Sequence, residues 1–325
     1  MHFFALGKSG SGKTHCLTER MVSLQKLHRP VIVFDTSESF TEEEILEKLS
    51  VGCGETAEKD VRAYIAEHIA FHRIEEDGIP VDLLKLGDSG NGEDTIRKIE
   101  SIVESHNPNM GSKQQAAVHA AISDMVQSGN VDMASLYEVL TSEQIPYDLA
   151  DQLADTLSFF VNFKANDRDW GELIEESKDI IIISTKAVRS NGGSGLIDML
   201  LMSLYYYQQA HGKKQLSVFI DEIRTQNLST KGPIAKILTE SRKNRMSLNF
   251  ATQFLPKSTL VREIMDNAAI HAFFPLDDRT AASAAKLLNI DPQALTLLET
   301  GECYIKGTFY NHNRQKAIPG ILMNP

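Results

Sequence analysis

The chain has 325 residues, of which 42% are hydrophobic and 24% charged, and it carries a formal net charge of −11. These proportions are typical of a folded globular protein and exclude a disordered or fibrous one. No apolar run approaches the roughly 18 residues of a membrane helix, and the first residues lack the basic lead of a signal peptide. The acidic balance excludes a surface that is basic throughout, but not a local basic lining for nucleic acid. The three cysteines are widely spaced and form no disulfide framework, so we expect a cytoplasmic protein. The lack of a long apolar run predicts that the chain has no transmembrane segment.

The chain begins with the pattern of a parallel α/β sheet. The apolar run Phe3–Leu6 is followed by a glycine-rich loop and then by helical apolar spacing over residues 13–28. A second apolar run, Val31–Phe34, predicts another buried strand. Strand, loop, helix and strand in this order open a parallel sheet flanked by helices.

The middle of the chain predicts an insertion into that sheet. Residues 51–94 contain glycine-rich turns around a candidate strand near Ile69–Ile74, and residues 93–161 show almost entirely helical spacing. We therefore assign residues 1–50 and 175–325 to one α/β core and residues 51–174 to a mixed, mainly helical insertion. Helical patterns near residues 195–210, 232–245 and 280–288 separate most of five further candidate strands, which are Ile180–Ile183, Leu216–Ile220, Leu248–Ala251, Ile270–Phe274 and Cys303–Ile305.

Residues 7–14, GKSGSGKT, match the phosphate-binding P-loop pattern and lie between a strand and a helix, as that motif requires. Glycines let backbone N–H groups curl round phosphates at a helix N-terminus, where the helix dipole favours negative charge. Lys13 is expected to reach the β- and γ-phosphates, and the Thr14 hydroxyl to bind Mg²⁺. We therefore expect ATP and Mg²⁺ as cofactors, with nine nucleotide-binding residues: Gly7, Lys8, Ser9, Gly10, Ser11, Gly12, Lys13, Thr14 and His15.

Two acids end a later apolar strand, as metal-dependent ATP hydrolysis requires. Leu216–Ile220 runs directly into Asp221 and Glu222. We predict that Asp221 lies on the Mg²⁺ side and that Glu222 polarises the attacking water. Acids at such a position also occur as simple helix caps, but the P-loop favours the interpretation as a Walker B element.

Two further polar residues are candidates for the same site. Arg242 lies in a basic cluster at the end of a helical pattern, where cations suit the helix dipole. The functional alternative presents Arg242 to the γ-phosphate of a neighbouring subunit. Gln253 ends the next strand at the sheet edge where parallel sheets bind ligands, so it either contacts the γ-phosphate or forms an ordinary strand-end turn. The catalytic candidates are therefore Glu222, Lys13, Arg242 and Gln253.

The order of these motifs resembles that of the HerA–FtsK superfamily of ring-forming P-loop ATPases, especially the motor domains of conjugation and type IV secretion ATPases. Four segments carry the resemblance across nearly the whole chain: GKSGSGKT, the strand reaching Asp35, VFIDEI, and ESRKNRMSLNFATQ. In that family an arginine acts in trans and a glutamine eleven residues later senses the γ-phosphate, a separation that Arg242 and Gln253 share. The chain departs from the family where Asp35–Ser39 replaces Asp-Pro-Lys-Gly-Glu and where Ser241 replaces a glycine.

The resemblance implies a RecA-like core that assembles into a homohexamer with ATP at the subunit interfaces. It implies an ATP-driven translocase of nucleic acid, with double-stranded DNA passing through the ring pore, in conjugation, packaging, end processing or phage defence. Two alternatives stay open: a type IV secretion-like ATPase for protein handling or assembly, and an ATP-regulated ring scaffold for a partner effector enzyme. The basic, glycine-rich segment 186–195 either lines the pore or is a solvated loop. Larger relatives carry an N-terminal domain, and we expect either a partner protein in its place or a motor that works alone.

Overall fold

The fold is built on one nine-stranded sheet with the spatial order β3-β4-β2-β5-β6-β1-β7-β8-β9. The computed structural model describes residues 2–51, 55–86, 92–106, 110–140, 164–185, 195–212, 214–229, 232–240, 243–256, 259–307 and 320–323. The strands are β1 (His2–Leu6), β2 (Val31–Asp35), β3 (Ile69–Arg73), β4 (Ile180–Ser184), β5 (Leu216–Ile220), β6 (Met246–Thr252), β7 (Ala268–Phe273), β8 (Glu302–Gly307) and β9 (Gly320–Met323).

Neighbouring strands from β3 to β7 are all parallel, and β8 and β9 extend the sheet as antiparallel strands. Successive side chains of a strand point to opposite faces, so Phe3 and Val33 enter one buried cluster while Phe4 and Ile32 enter another. Apolar residues on both faces are what a parallel sheet covered by helices on each side requires. The expected mostly parallel α/β core is thus confirmed.

Helices cover both faces of the sheet. The cluster that contains Phe3 also holds Leu17, Ile45 and Ile65, and the cluster that contains Phe4 holds side chains of helices later in the chain. Within the described ranges the helices are α1 (Lys13–Gln25), α2 (Glu42–Ser50), α3 (Glu55–His68), α4 (Ile74–Asp77), α5 (Gly92–His106), α6 (Ser112–Ser128), α7 (Met133–Leu140), α8 (Trp170–Glu176), α9 (Leu196–His211), α10 (Pro233–Glu240), α11 (Thr259–Asn267), α12 (Asp278–Leu288) and α13 (Gln293–Thr296), with a 3₁₀ turn at Ile223–Thr225.

The five strand predictions after the insertion match β4 to β8, whereas β9 was not predicted, because four residues carry too short a pattern. The helix expected near residues 232–245 is shorter than expected. Its described part, α10, ends at Glu240, and β6 already begins at Met246.

The segment assigned to the insertion contains one strand of the main sheet. β3 pairs in parallel with β4, with Ile69 opposite Ile180. The helices α5 and α6 pack against the Phe4 side of the core through residues such as Ile99 and Ile122. The limits of the insertion stay a prediction, and residues 141–161 of its expected helical stretch lie outside the described residues. In the part of the chain that is described, no helix combines the length and apolar composition that a membrane crossing needs.

Candidate nucleotide-binding site

The P-loop leaves β1 and enters α1 through a glycine-dependent turn. Gly10 and Gly12 have positive φ angles of 72° and 104°, which side-chain-bearing residues rarely adopt. At Gly7 the constraint is space, because an added Cβ would lie 2.5 Å from the Cβ of Phe274. The residue types of the motif are therefore explained by the backbone path that they permit.

Neighbouring strand ends hold this loop in place. The N–H of Gly7 donates to the carbonyl of Thr252 at 3.3 Å, and the N–H of Lys8 donates to the carbonyl of Pro275 at 3.0 Å. On the other side of the turn, Gly301 donates its N–H to the carbonyl of Ser11 at 3.2 Å. The last residue of β6, a residue that follows β7 and one that precedes β8 thus hold the loop.

Lys13 lies at the start of α1, is only 7% exposed, and donates from Nζ to the carbonyl of Lys8 at 2.8 Å. Burial lowers the pKa of its ammonium, while the nearby carboxylates of Asp221 and Glu222 act in the opposite direction. A bound phosphate would add negative charge beside this cation and favour its charged form.

Asp221 joins the P-loop to β5. Its Oδ1 accepts a hydrogen bond from Thr14 Oγ1 at 3.1 Å, and its Oδ2 accepts one from Ser37 Oγ at 3.4 Å. Hydroxyl and carboxylate oxygens are the ligands that Mg²⁺ prefers. The buried hydroxyls of Ser11 and Thr36 have no hydrogen-bond partner among the described residues. Polar atoms left unpaired beside a P-loop fit a site that binds a polar ligand.

Glu222 is held by three donors at the ends of β5 and β6. Its Oε1 accepts from Thr252 Oγ1 at 2.9 Å and from the N–H of Arg224 at 3.0 Å, and its Oε2 accepts from the N–H of Gln253 at 3.3 Å. These contacts fix the carboxylate beside Asp221. The arrangement suits a group that orients and deprotonates a water molecule.

Asp35 shapes the turn on the other side of Asp221. Its carboxylate accepts the N–H groups of Ser37, Ser39 and Phe40 at 3.0–3.1 Å. Burial raises its pKa, and the three backbone hydrogen bonds act against that effect. Asp35, the first residue of the segment that departs from the family's motif, thus has a structural role, because its turn places the Ser37 hydroxyl against Asp221.

Asp198 supports the segment that follows Glu222. It lies in the first turn of α9, is 3% exposed, and its Oδ2 accepts the N–H of Asn227 at 2.9 Å. Its Oδ1 has no hydrogen-bond partner among the described residues. Burial raises the pKa of this carboxyl to about 7, against the effect of the single backbone hydrogen bond.

A cleft of about 430 Å³ brings most of the expected residues together. Ser9, Gly10, Lys13, Thr14, Asp221, Glu222 and Gln253 all line it. Gly7, Lys8, Ser11 and Gly12 form the loop behind it. His15 is not part of the lining, and its Nε2 lies 3.5 Å from Glu19 Oε1, so its role in binding nucleotide stays a prediction. Arg242 lies outside the described residues.

The structure adds cleft residues that the motifs do not contain. Ser37 and Ser39 come from the turn after β2, and Arg224 and Phe254 follow the Walker B acids and Gln253. Their position in the sequence could have indicated them, because each comes shortly after a strand that ends at this edge of the sheet. No feature of the sequence predicts the contact of Thr252 with Glu222, because Thr252 is an ordinary residue for a strand.

Comparison with known proteins reveals relatives in structure but not in sequence. No family model and no curated protein matches the chain. VirB4 of Thermoanaerobacter pseudethanolicus is 14% identical, with 94% of this chain and 86% of that chain covered and a TM-score of 0.67. The plasmid coupling protein TrwB bound to the ATP analogue ADPNP is 12% identical, covering 99% and 84%, with a TM-score of 0.69. TrwB with ADP and Mg²⁺ is 14% identical, covering 96% and 82%, with a TM-score of 0.67.

The chain therefore has the fold of VirB4 and TrwB over almost its entire length. The expected RecA-like core is confirmed, and the resemblance to HerA–FtsK-type ATPases is confirmed at the level of the fold.

Proposed function

We propose that this protein is an ATPase that works as a ring motor and translocates nucleic acid, with double-stranded DNA as its substrate. The observation that carries the ATPase assignment is the convergence of Lys13, Thr14, Asp221 and Glu222 on one cleft. Two pairs of residues that are far apart in the sequence meet there in the arrangement that phosphoryl transfer to water needs. The TrwB structures with ADPNP and with ADP and Mg²⁺ support this nucleotide chemistry.

Each residue has a separate task in the proposed reaction. Lys13 and the P-loop N–H groups bind and orient the phosphates. Thr14 and Asp221 would hold Mg²⁺, which supplies charge neutralisation on the phosphate oxygens. Glu222, fixed by its three donors, accepts a proton from the attacking water, and Gln253 on the same side of the cleft orients that water or the γ-phosphate.

The proposed assembly is a homohexamer in which Arg242 completes the neighbour's cleft. An arginine supplied in trans is worth several orders of magnitude in rate in other P-loop enzymes. The test is to mix Arg242→Ala subunits with Lys13→Ala subunits. If Arg242 acts in trans, mixed rings regain turnover at the interfaces where an intact P-loop meets an intact arginine. Normal turnover by the Arg242→Ala protein alone would contradict the assignment.

DNA as the substrate is supported by the likeness to TrwB, a bacterial conjugative coupling protein. Because the net charge is −11, contacts to phosphates require a local basic lining. The segment 186–195, which contains Lys186 and Arg189, is the proposed lining, and its residues 186–194 lie outside the described residues. A separate effector or partner protein is also part of this proposal.

The likeness to VirB4 favours one alternative, an ATPase of the type IV secretion kind that handles proteins without gripping DNA. Turnover of ATP should be measured with and without duplex DNA over a range of salt concentrations, with the Lys13→Ala variant as the control for contaminating activity. We expect stimulation by duplex DNA that declines as salt rises. If duplex DNA does not change ATP turnover at any salt concentration, the DNA translocase hypothesis is rejected and the type IV secretion-like ATPase is favoured.

A further inference from the structure

Arg224 and Phe254 form a pair at the rim of the nucleotide cleft. Arg224 belongs to the 3₁₀ turn directly after Glu222, and Phe254 directly follows Gln253. The guanidinium carbon of Arg224 lies 5.0 Å from the centre of the Phe254 ring. Both residues line the same cleft as Ser9 and Lys13, and Phe254 is 49% exposed although it is a large apolar residue.

A cation–π contact of this kind uses none of the N–H donors of Arg224. A guanidinium binds an aromatic ring through its flat face, whereas its five N–H donors lie in its plane and point outward. Within the described part of the chain, Arg224 has no ion pair with a carboxylate. The other described cation of the cleft, Lys13, is buried and already donates to the carbonyl of Lys8. Arg224 is thus a braced and accessible donor in the cleft.

The position of this donor relative to the reacting groups is fixed by the backbone. The N–H of Arg224 donates to Glu222 Oε1 at 3.0 Å, and the N–H of Gln253, which precedes Phe254, donates to Glu222 Oε2 at 3.3 Å. Arg224 and the residue that precedes Phe254 are therefore anchored to the same carboxylate. The phosphate that is attacked by a Glu222-activated water must lie close to Glu222, where its negative charge needs a cation.

We propose that Arg224, braced by Phe254, binds the terminal phosphate of the nucleoside triphosphate held in the same subunit. The inference rests on the proposed ATP site. It gives the cleft a means of distinguishing a triphosphate from a diphosphate, because only the triphosphate reaches the guanidinium. The planar fork of arginine matches the oxygens of a phosphate, so lysine would not be an equivalent replacement at this position. This role is distinct from that of Arg242, which would act on a neighbouring subunit.

The test compares the dissociation constants of ADPNP and ADP, each with Mg²⁺, by isothermal titration calorimetry. For Arg224→Ala we expect ADPNP binding to weaken about tenfold or more while ADP binding changes by less than about twofold, since a hydrogen bond to a charged group is lost only with the triphosphate. Phe254→Ala should weaken ADPNP binding by a smaller factor, because the cation remains but loses its support. Arg97→Ala, at an exposed arginine on α5, is the matched control and should change neither constant.

Two results would overturn the inference while the proposed function stands. One is a wild-type protein that hydrolyses ATP while Arg224→Ala leaves both dissociation constants at their wild-type values. The other is an equal loss of ADPNP and ADP binding, which would move Arg224 to a different part of the nucleotide. A wild-type protein that binds neither nucleotide would instead reject the proposed ATP site itself.

Mixed rings test whether Arg224 acts within its own subunit. Arg224→Ala subunits combined with Lys13→Ala subunits should show no turnover beyond that of the two parents, because each subunit then carries a defect in its own cleft. Restored turnover would show action in trans and contradict the inference.

Discussion

The two ends of the parallel sheet both concentrate polar side chains, but they use them differently. At the amino end, Gln25 Nε2 donates to Asp179 Oδ2 at 2.8 Å, Tyr64 OH donates to Gln25 Oε1 at 2.9 Å, and His68 Nδ1 lies 2.9 Å from Asp179 Oδ2. These side chains bind one another and join α1 and α3 to the start of β4. His68 is thereby engaged in a side-chain network, and no cluster of three or more metal-ligating side chains occurs among the described residues.

At the carboxyl end, polar side chains are held mostly by backbone groups and hydroxyls, and a cleft lies between them. Glu222 accepts two backbone N–H groups and a hydroxyl, and Asp35 accepts three backbone N–H groups. Side chains that satisfy one another stabilise the fold, whereas side chains fixed by backbone can present a free edge to a ligand. The difference predicts that mutations at the two ends separate activity from stability.

The largest effect is expected for Lys13→Ala at the carboxyl end. We expect ATP turnover to fall by about three orders of magnitude or more, because the cation that contacts the β- and γ-phosphates is lost. The melting temperature should stay the same or rise, since a buried ammonium is removed. Steady-state turnover and thermal melting provide the measurement. An unchanged rate would mean that the cleft is not the ATP site.

Glu222→Gln should reduce turnover by about two orders of magnitude while leaving ATP binding intact. Glutamine keeps the shape of the side chain and an oxygen that accepts a hydrogen bond, but it cannot take a proton from water. Rapid filtration with labelled ATP should detect nucleotide that stays bound and uncleaved. Loss of binding together with turnover would show that Glu222 serves to hold the cleft rather than to activate water.

Asp198→Asn tests a carboxyl-end group that is not part of the cleft lining. The pKa of Asp198 is raised from 3.8 to about 7 in the folded protein, so its contribution to stability is complete below pH 3.8 and is lost as pH rises through about 7. The wild-type protein should therefore lose stability relative to Asp198→Asn over this range, by at most about 4 kcal/mol. Urea unfolding of both proteins at pH 5.5 and 8 measures the difference. If the difference in unfolding free energy between the two proteins does not grow with pH, the carboxyl of Asp198 does not have the raised pKa that its burial implies.

The smallest effect is expected at the amino end, for Gln25→Ala. The substitution removes the hydrogen bonds to Asp179 and Tyr64 and should lower the free energy of unfolding by about 1–2 kcal/mol. Turnover per folded molecule should be unchanged. A drop in turnover as large as that of Lys13→Ala would mean that the two ends of the sheet are functionally coupled.

The sequence predicted the parallel core and the P-loop well because both are encoded locally. Apolar runs mark the strands, and the motif of residues 7–14 carries its own geometry through Gly10 and Gly12. The acids Asp221 and Glu222 were found because they directly end such a run.

Contacts between distant segments were not predictable in this way. The membership of β3 in the sheet depends on pairing with β4, more than a hundred residues later. The contact of Arg224 with Phe254 links the segments that follow β5 and β6, and no sequence pattern predicts that these two side chains meet. The structural role of Asp35 likewise depends on a turn that the family's usual motif does not predict.

The hydrogen bonds that anchor the P-loop determine how much chain an ATP site needs. A fragment that ends at Gln253 would keep all the recognised motifs, yet it would lose the carbonyl of Pro275 and the N–H of Gly301 that hold the loop. It would also lose β7, the direct neighbour of β1 on one side. The smallest piece able to bind nucleotide must therefore extend at least to β8, and truncations in search of a minimal motor should begin beyond that strand.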